Sequence, residues 1–393
     1  MPSISPELQY MLVLLGLFVV PRALQRFRLP SAITCVALGA ALGMGAHLFA
    51  HDTVIPLLAT FGIVALFLFA GLEVDFDELR RGARRVIEHI AVQLALLAAT
   101  TLAAQRLFGL EARAAVLLAL ALLTPSTGFI LDSLRGFGLS ADHQFWVRSK
   151  AIATEIVALA ALFVTVKSSN STSLAVSSAA LLGMIAALPV AFHAFARWVL
   201  PFAPRSEFSF LVIVAVFCAM LTRRLGVYYL VGAFVVGVTA VRLRARLPML
   251  ASHSLVAGIE LFASFFIPFY FFKAGLHLHA SDFTPASVGI GLAFLAVMTP
   301  VRLLSVVLHR GIALREPSKQ SYRVGMSLVP TLVFNLVLAD ILRERFALAP
   351  QLYGALIVYA IGTTLLPGFL LRVPAPEFDT PEVPPAQGQG EPS

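Results

Sequence analysis

Apolar residues in this chain come in continuous stretches of about twenty, separated by short clusters of Arg, Gly and Pro, and not in the alternation of a half-buried strand. Splitting the stretches at those clusters predicts thirteen helices, near residues 7–25, 30–50, 53–72, 86–108, 111–135, 144–166, 173–199, 207–222, 225–242, 254–276, 286–309, 320–343 and 350–371. A helix needs about 20 residues to cross the hydrocarbon core of a bilayer. The pattern therefore predicts an all-α polytopic membrane protein over residues 1–372. From Val373 the pattern stops: VPAPEFDTPEVPPAQGQGEPS is Pro-rich and acidic, with too few apolar side chains to offset ordering entropy. Residues 373–393 are expected to form a disordered cytoplasmic tail, with no soluble domain attached.

Composition agrees with that reading. Of 393 residues, 59% are hydrophobic and only 13% charged, and the mean hydropathy is +0.88. Globular chains are about half apolar and about a quarter charged, so a soluble enzyme, a nucleic-acid binder and a disordered scaffold are all excluded. The net charge of +8 is a topology signal, because Lys and Arg concentrate in cytoplasmic loops. With Lys150 and Arg310 counted among the loop charges, twenty basic residues fall on one side of alternate loops and seven on the other. This places the N-terminus outside and the C-terminus in the cytoplasm. MPSISPELQY has neither a basic n-region nor a small-residue cleavage site, so the first span is expected to be retained. Cys35 and Cys218 lie in apolar runs and point to neither a disulfide framework nor a metal cluster.

Two landmarks recur at nearly one offset. Ala70-Gly71-Leu72 is matched by Ala274-Gly275-Leu276, 204 residues on, and Pro125 in the fifth helix by Pro330 in the twelfth, 205 residues on. The offset corresponds to seven spans, and an odd number inverts the second copy. Inverted repeats, about 30–166 and 225–372, with corresponding Pro-interrupted helices point to a secondary transporter whose site lies where the broken helices meet. Ordinary membrane kinks at Pro125 and Pro330 are the competing explanation. Carbonyls freed at the breaks and the hydroxyls of Thr124, Ser126, Thr127 and Thr331 supply hard oxygen atoms, which suit alkali cations.

A charge at the bilayer centre costs about 2.5–3.5 kcal/mol on insertion scales and calls for a reason. Glu155, preceded by Thr154, lies mid-helix just after the first break, where a carboxylate can exchange a proton for a metal ion. Arg302 stays protonated and is expected to pair with Glu155 in one state, with snorkelling to an interface as the alternative. Lys273, about two residues from a helix end, is as open to snorkelling as to burial. Asp132, Glu88, His89, Glu260 and Asp340 lie near helix ends and are expected to be solvated or capping, and His277 and His279 to lie in an interfacial loop. Gly39 and Gly43 form a GxxxG, which signals close helix packing.

With these residues in view, the chain resembles the monovalent cation:proton antiporter superfamily, specifically the sodium/hydrogen exchanger and Kef-type branch. The resemblance is carried by FGIVALFLFAGLEVDFDELRR, LLTPSTGFILDSLRGFG, LVGAFVVGVTA, ELFASFFIPFYFFKAGLHL, VRLLSVVL and YGALIVYAIGTTLLPGFLLR. It implies a thirteen-helix homodimeric fold with a mobile core domain and elevator-like alternating access. It also implies that the acidic position of the sixth helix, here Glu155, binds the ion, and that the basic position of the eleventh falls on Arg302. The chain departs from the pattern in three places. Thr154-Glu155 stands where Asp, often preceded by Asp, Asn or Gln, is usual; Val333-Phe334-Asn335 lacks the acidic residue often found after the second break; and Lys273 replaces an uncharged residue. A nucleotide-binding domain of the kind Kef-type members often carry is not expected.

The expectation is thus an inner-membrane antiporter exchanging Na⁺ or K⁺ for H⁺ at Glu155, one for one and hence electroneutral. No cofactor, no nucleic acid and no enzymatic activity are expected, and membrane lipid is the surrounding partner. Two rivals stand beside it. One is a non-transporting sensor or assembly paralogue, motivated by Thr154-Glu155; the other is an organic-anion symporter, in which Lys273 and Arg302 would bind a carboxylate.

Overall fold

A computed structural model describes residues 5–45, 49, 52–134, 137–168, 170–226, 228–244, 246–247 and 252–371. The expected tail from Val373 and the side chain of Asp132 lie outside the described residues. Every regular element among those residues is helical: α1 (Pro6–Gln25), α2 (Ser31–Ala40), α3 (Val54–Leu72), α4 (Phe76–Arg81), α5 (Ala83–Phe108), α6 (Ala112–Leu123), α7 (Thr127–Ser133), α8 (Ala141–Lys167), α9 (Ser171–Ala194), α10 (Glu207–Arg224), α11 (Tyr229–Arg242), α12 (His253–Leu276), α13 (Pro285–Leu314), α14 (Ser318–Ser327), α15 (Leu332–Phe346) and α16 (Pro350–Leu370), with π-helical turns after α2 and α9 and a short 3₁₀ turn before α13. Among the described residues, nine helical segments are long and apolar enough to cross a membrane, ten if the bent pair α14 and α15 is one span. Ten is three fewer than the thirteen apolar runs: Ser31–Gly45 and Tyr229–Arg242 are short helices, and α10 (Glu207–Arg224) is not among the spans.

Local chemistry sets the helix starts. The hydroxyls of Ser140, Ser252 and Thr284 accept the amides of His143, Leu255 and Ser287, capping α8, α12 and α13. Proline takes the first turn of α1, α13 and α16, where an amide hydrogen would have no partner. The Ser140 cap begins α8 three residues earlier than the apolar run does. Likewise α13 continues to Leu314, beyond the expected end at 309. Arg310, read from sequence as a loop charge, therefore lies inside α13, and Lys150, counted with the loops although the expected helix 144–166 spans it, lies inside α8; each is only 1% exposed. Removing them lowers the loop count to eighteen against seven, which leaves its sign unchanged.

At the centre stands α3, apolar on nearly every face, as a helix surrounded by protein requires. Glycine lets its neighbours approach to backbone distance. A Cβ on Gly71 would lie 2.3 Å from the Phe234 carbonyl oxygen of α11, and one on Gly237 of α11 would lie 2.4 Å from that of Leu68. The same reciprocal seam joins α2 to α12. A Cβ on Gly39 would meet the Phe272 carbonyl at 2.0 Å, and one on Gly275 that of Val36 at 2.1 Å. Around this centre α6 and α15 are buried almost throughout. By contrast α1, α5, α9, α10 and α13 expose Met11, Leu102, Val190, Ile213 and Leu304, the side chains a bilayer would cover.

One face is tied by Glu316, in the connection between α13 and α14. Its carboxylate accepts from Arg310 Nε and Nη2 at 2.6 and 2.7 Å and from Ser321 Oγ at 2.9 Å, and lies 2.7 Å from His143 Nε2. The Arg310 guanidinium, ahead of the hydrogen bonds from His143 and Ser321, holds this carboxyl down at about 2. The stability so gained is full above the ordinary carboxylate value and fades as pH falls from about 4.5 toward 2. Glu316→Gln should lower the melting temperature of the detergent-solubilised protein at pH 7, with the gap to the parent closing as the medium is acidified through that window. Gly71→Val should cost about 1–3 kcal/mol by overpacking the α3–α11 seam, whereas Gly16→Ala, with nothing within 4 Å of the new carbon, should leave the melting temperature unchanged.

Candidate functional site

Proline interrupts two helices, and the interruptions meet. Residues 124–126 separate α6 from α7 and residues 328–331 separate α14 from α15, the second pair bending by 48°. The two broken helices cross antiparallel. Asn335 Nδ2 donates to the Ala121 carbonyl at 3.2 Å, and the Ser126 amide donates to the Pro330 carbonyl at 2.9 Å.

A buried break leaves backbone groups without helical partners, each of which must be paired. Here most are. The Ser126 hydroxyl accepts the amides of Val333 and Phe334 at 2.9 and 3.4 Å, capping α15 from the opposite break. Arg302 donates to the carbonyls of Leu328 and Val329 at 2.7 and 2.8 Å and to the Tyr359 hydroxyl at 3.2 Å, and Tyr359 in turn donates to the Leu122 carbonyl at 2.7 Å. Thus Arg302 serves the negative end of α14, and the pairing with Glu155 expected in one state is not formed in this one. Its donors are drawn off by carbonyls that nothing else satisfies. Thr331 is engaged with Thr363 at 2.9 Å.

Three buried oxygens around the crossing are left unpartnered: Glu155 Oε2, Thr127 Oγ1 and Asn335 Oδ1. Glu155 is only 3% exposed. It shares with Ser126, Thr127 and Val333, and with Leu66 and Phe67 of α3, a cavity of about 10 Å³, room for one water-sized occupant. The cavity opens at the amino ends of α7 and α15, whose dipoles favour an anionic carboxylate. An orphaned carboxylate oxygen beside an orphaned hydroxyl is the beginning of an all-oxygen cation site.

Residues 11–375 match the family described as sodium/hydrogen exchanger, transmembrane. The chain belongs to that family. It is 27% identical over 323 residues to the Na(+)/H(+) antiporter NhaS5 of Synechocystis, covering 79% of this chain and 44% of that protein. A shorter match, 32% identical over 73 residues, is to the probable Na(+)/H(+) antiporter 3 of Methanocaldococcus jannaschii, covering 18% of this chain and 19% of that one. The chain thus spans less than half the length of these relatives. Its fold matches the structure of the sodium proton antiporter MjNhaP1 of Methanocaldococcus jannaschii at pH 8, with a TM-score of 0.68 over 91% of this chain and 94% of that one, at 13% identity.

Within this exchanger-family chain the sequence-predicted residues divide. Thr127 and Glu155 come together at the cavity, and Pro125, Pro330 and Ser126 build the crossing. Thr124 is buried at the same break, 1% exposed. Thr154 turns the other way, its hydroxyl 3.3 Å from His89 Nε2, in a second cavity of about 10 Å³ shared with Arg302 and Pro125. Lys273 belongs elsewhere, lining a polar cavity of about 580 Å³ with Asp340, Arg343, Glu344 and Tyr353. There Tyr353 donates to half-buried Asp340 at 3.2 Å, so Asp340 is not a solvated cap.

His89 likewise corrects its expectation: it is 3% exposed and buried between α8 and α13. Sequence reading also missed Lys150 and Tyr359. The one local signal for Lys150 is Ser140, followed by Asp142, which starts α8 early enough to carry it inward. Arg302→Met should strand two buried carbonyls and cost about 3 kcal/mol, read as a large fall in melting temperature. Arg302→Lys, which cannot span both carbonyls and Tyr359, should recover only part of it.

Proposed function

We propose that this chain is a secondary active transporter that exchanges a monovalent cation, Na⁺ or K⁺, for H⁺ by alternating access. The observation that carries the proposal is the buried carboxylate of Glu155, its Oε2 unpartnered, sharing one cavity with the Ser126 and Thr127 hydroxyls where two broken helices cross. Cation and proton take turns at a site centred on Glu155. With one net charge moved each way, the exchange is electroneutral, and a potential of 100 mV, worth about 2.3 kcal/mol per charge, does not drive it.

Alternating access is supported by the walls of the cavity. Leu66, Phe67 and Ala70 of α3 form an apolar wall, and Ser126, Thr127 and Glu155 face it from the crossing. A displacement of the crossing along α3 would uncover the carboxylate without breaking a hydrogen bond to that wall. The paired glycine seams, α3 with α11 and α2 with α12, support two inverted repeats over about 30–166 and 225–372. The charge bias supports an inner-membrane orientation with the N-terminus outside, and the family supports a homodimer in lipid. The organic-anion reading loses ground because the donors of Arg302 are committed to carbonyls.

In proteoliposomes holding a pH gradient, adding Na⁺ or K⁺ to the parent protein should collapse the gradient, and the more effective cation is the substrate. Glu155→Ala should abolish the collapse and Glu155→Asp should retain part of it. Folded, inserted parent protein without cation-dependent flux would overturn the proposal in favour of the sensor reading.

A further inference from the structure

Lys273 is the intramembrane charge that the Glu155 site leaves unexplained. It lines the polar cavity of about 580 Å³ with Asp52, Asp340, Arg343, Glu344 and Tyr353. Exposed His277, His279 and Glu344 stand at the edge of that cavity. It therefore opens at the face where α3 begins and α12 and α15 end, which is the face of the N-terminus and, by the charge bias, the outside. Two helices line both this cavity and the one at Glu155. On α3, Ile55 and Pro56 border the first and Leu66 and Phe67 the second; on α15, Asp340 and Arg343 border the first and Val333 and Phe334 the second. The rise from Pro56 to Leu66 is about 15 Å and from Phe334 to Asp340 about 9 Å. In between, α3 buries Ala59 and Ile63, and α15 buries Leu336 and Val337. The large cavity thus lies on the approach to Glu155, an apolar layer short of it.

Most of its charges are already engaged. Arg343 reaches Asp282 at 3.2 Å and His279 Nδ1 at 2.9 Å, and its guanidinium lies 4.5 Å over the Tyr353 ring. Asp52 accepts the Ile55 amide at 2.7 Å and the Tyr10 hydroxyl, and Asp340 accepts the Tyr353 hydroxyl at 3.2 Å. Neutral donors do not cancel a carboxylate's charge. With Arg343 and Asp282 offsetting each other, the carboxylates of Asp52, Asp340 and Glu344 face the one ammonium of Lys273, and the cavity is acidic. Lys273 is half-buried, faces Asp340 and His277, and makes no salt bridge among the described residues. It stands where a cation drawn in by Asp340 would rest.

We propose that this cavity is the outer vestibule of the cation path and that Lys273 governs how strongly the vestibule holds cations. The inference rests on the antiport reading above and adds a residue that acts at one face only. An acidic cleft concentrates cations. A tethered ammonium near Asp340 lowers that concentration, so that an ion passes on to Glu155 without being retained at the mouth. A unit charge about 4 Å away in water-like surroundings changes a cation's occupancy about fivefold. Lys273 does not line the Glu155 cavity, so it acts on entry from one side and not on the exchange at the carboxylate.

The test is sided. Isotopic uptake of Na⁺, and of Rb⁺ in place of K⁺, is measured in right-side-out and inside-out vesicles for the parent, Lys273→Met, Lys273→Arg and Asp340→Asn. At low ionic strength Lys273→Met should lower the half-saturating cation concentration at the outer face about fivefold, with the maximal rate and the inner-face value unchanged. Lys273→Arg should match the parent, and Asp340→Asn should raise the outer value. In choline chloride at about 1 M, where the Debye length is about 3 Å, these differences should shrink. Lys273→Cys adds a comparison within one folded protein. An impermeant cationic methanethiosulfonate added outside should modify it, because Cys35 and Cys218 are buried, and should restore the parent value; the anionic reagent should not. Equal shifts at both faces, no shift in Lys273→Met, or no reaction of Lys273→Cys from outside would overturn the proposal and leave the antiport reading intact. A parent that moves neither cation overturns the two together.

Discussion

Everything at the site follows from the need to pair backbone groups where two buried helices are broken. An amide or carbonyl left unpaired away from water costs several kcal/mol, and proline at 125 and 330 removes the helical partner of more than one. The chain meets this by crossing the breaks, so that the Ser126 amide donates to the Pro330 carbonyl and the Ser126 hydroxyl accepts the Val333 amide at the start of α15. Arg302 and Tyr359 take the carbonyls that remain. The oxygens expected from sequence to be cation ligands at the breaks are largely spent on this pairing. What survives it is the short set of orphans that includes Glu155 and Thr127.

The same constraint separates the charges. Arg302 is drawn to the carbonyl end of α14, while Glu155 lies at the amino ends of α7 and α15, each where the helix dipole favours its sign. Had the two paired directly, the carboxylate would be fully satisfied and a poor cation ligand, and the carbonyls of Leu328 and Val329 would be stranded. A site that must bind and release an ion is better served by a carboxylate held by dipoles than by one clamped to a guanidinium.

The elements were legible in the sequence because their signals are local. Apolar runs of membrane length, proline at matched offsets and the paired small residues around Gly71 and Gly275 all lie within one helix each, and the observed helices and breaks fall on them. Glu155 was legible too, as the one acid in the middle of a long apolar run. The targets of Arg302 were not, since the groups it binds are carbonyls that every residue carries. Nor was the burial of Lys150 and His89. It is decided by α13, whose His309 lies 159 residues beyond Lys150, and no spacing within α8 or α5 reports that contact. Both residues sit near the polar ends of their apolar runs, where hydropathy alone does not mark them as buried.

Thr154 shows how a departure from a family pattern is absorbed by its surroundings. A second carboxylate or a carboxamide at this position would face His89 and the basic groups behind it, and the threonine hydroxyl instead makes one contact with His89 Nε2 at 3.3 Å. The basic cluster of His89, His309 and Lys150 is thereby left without an acid of its own on α8, and its nearest carboxylate is Glu88 at the surface. Such a cluster cannot hold all its protons at once in a buried setting, because like charges in a low-dielectric interior repel strongly.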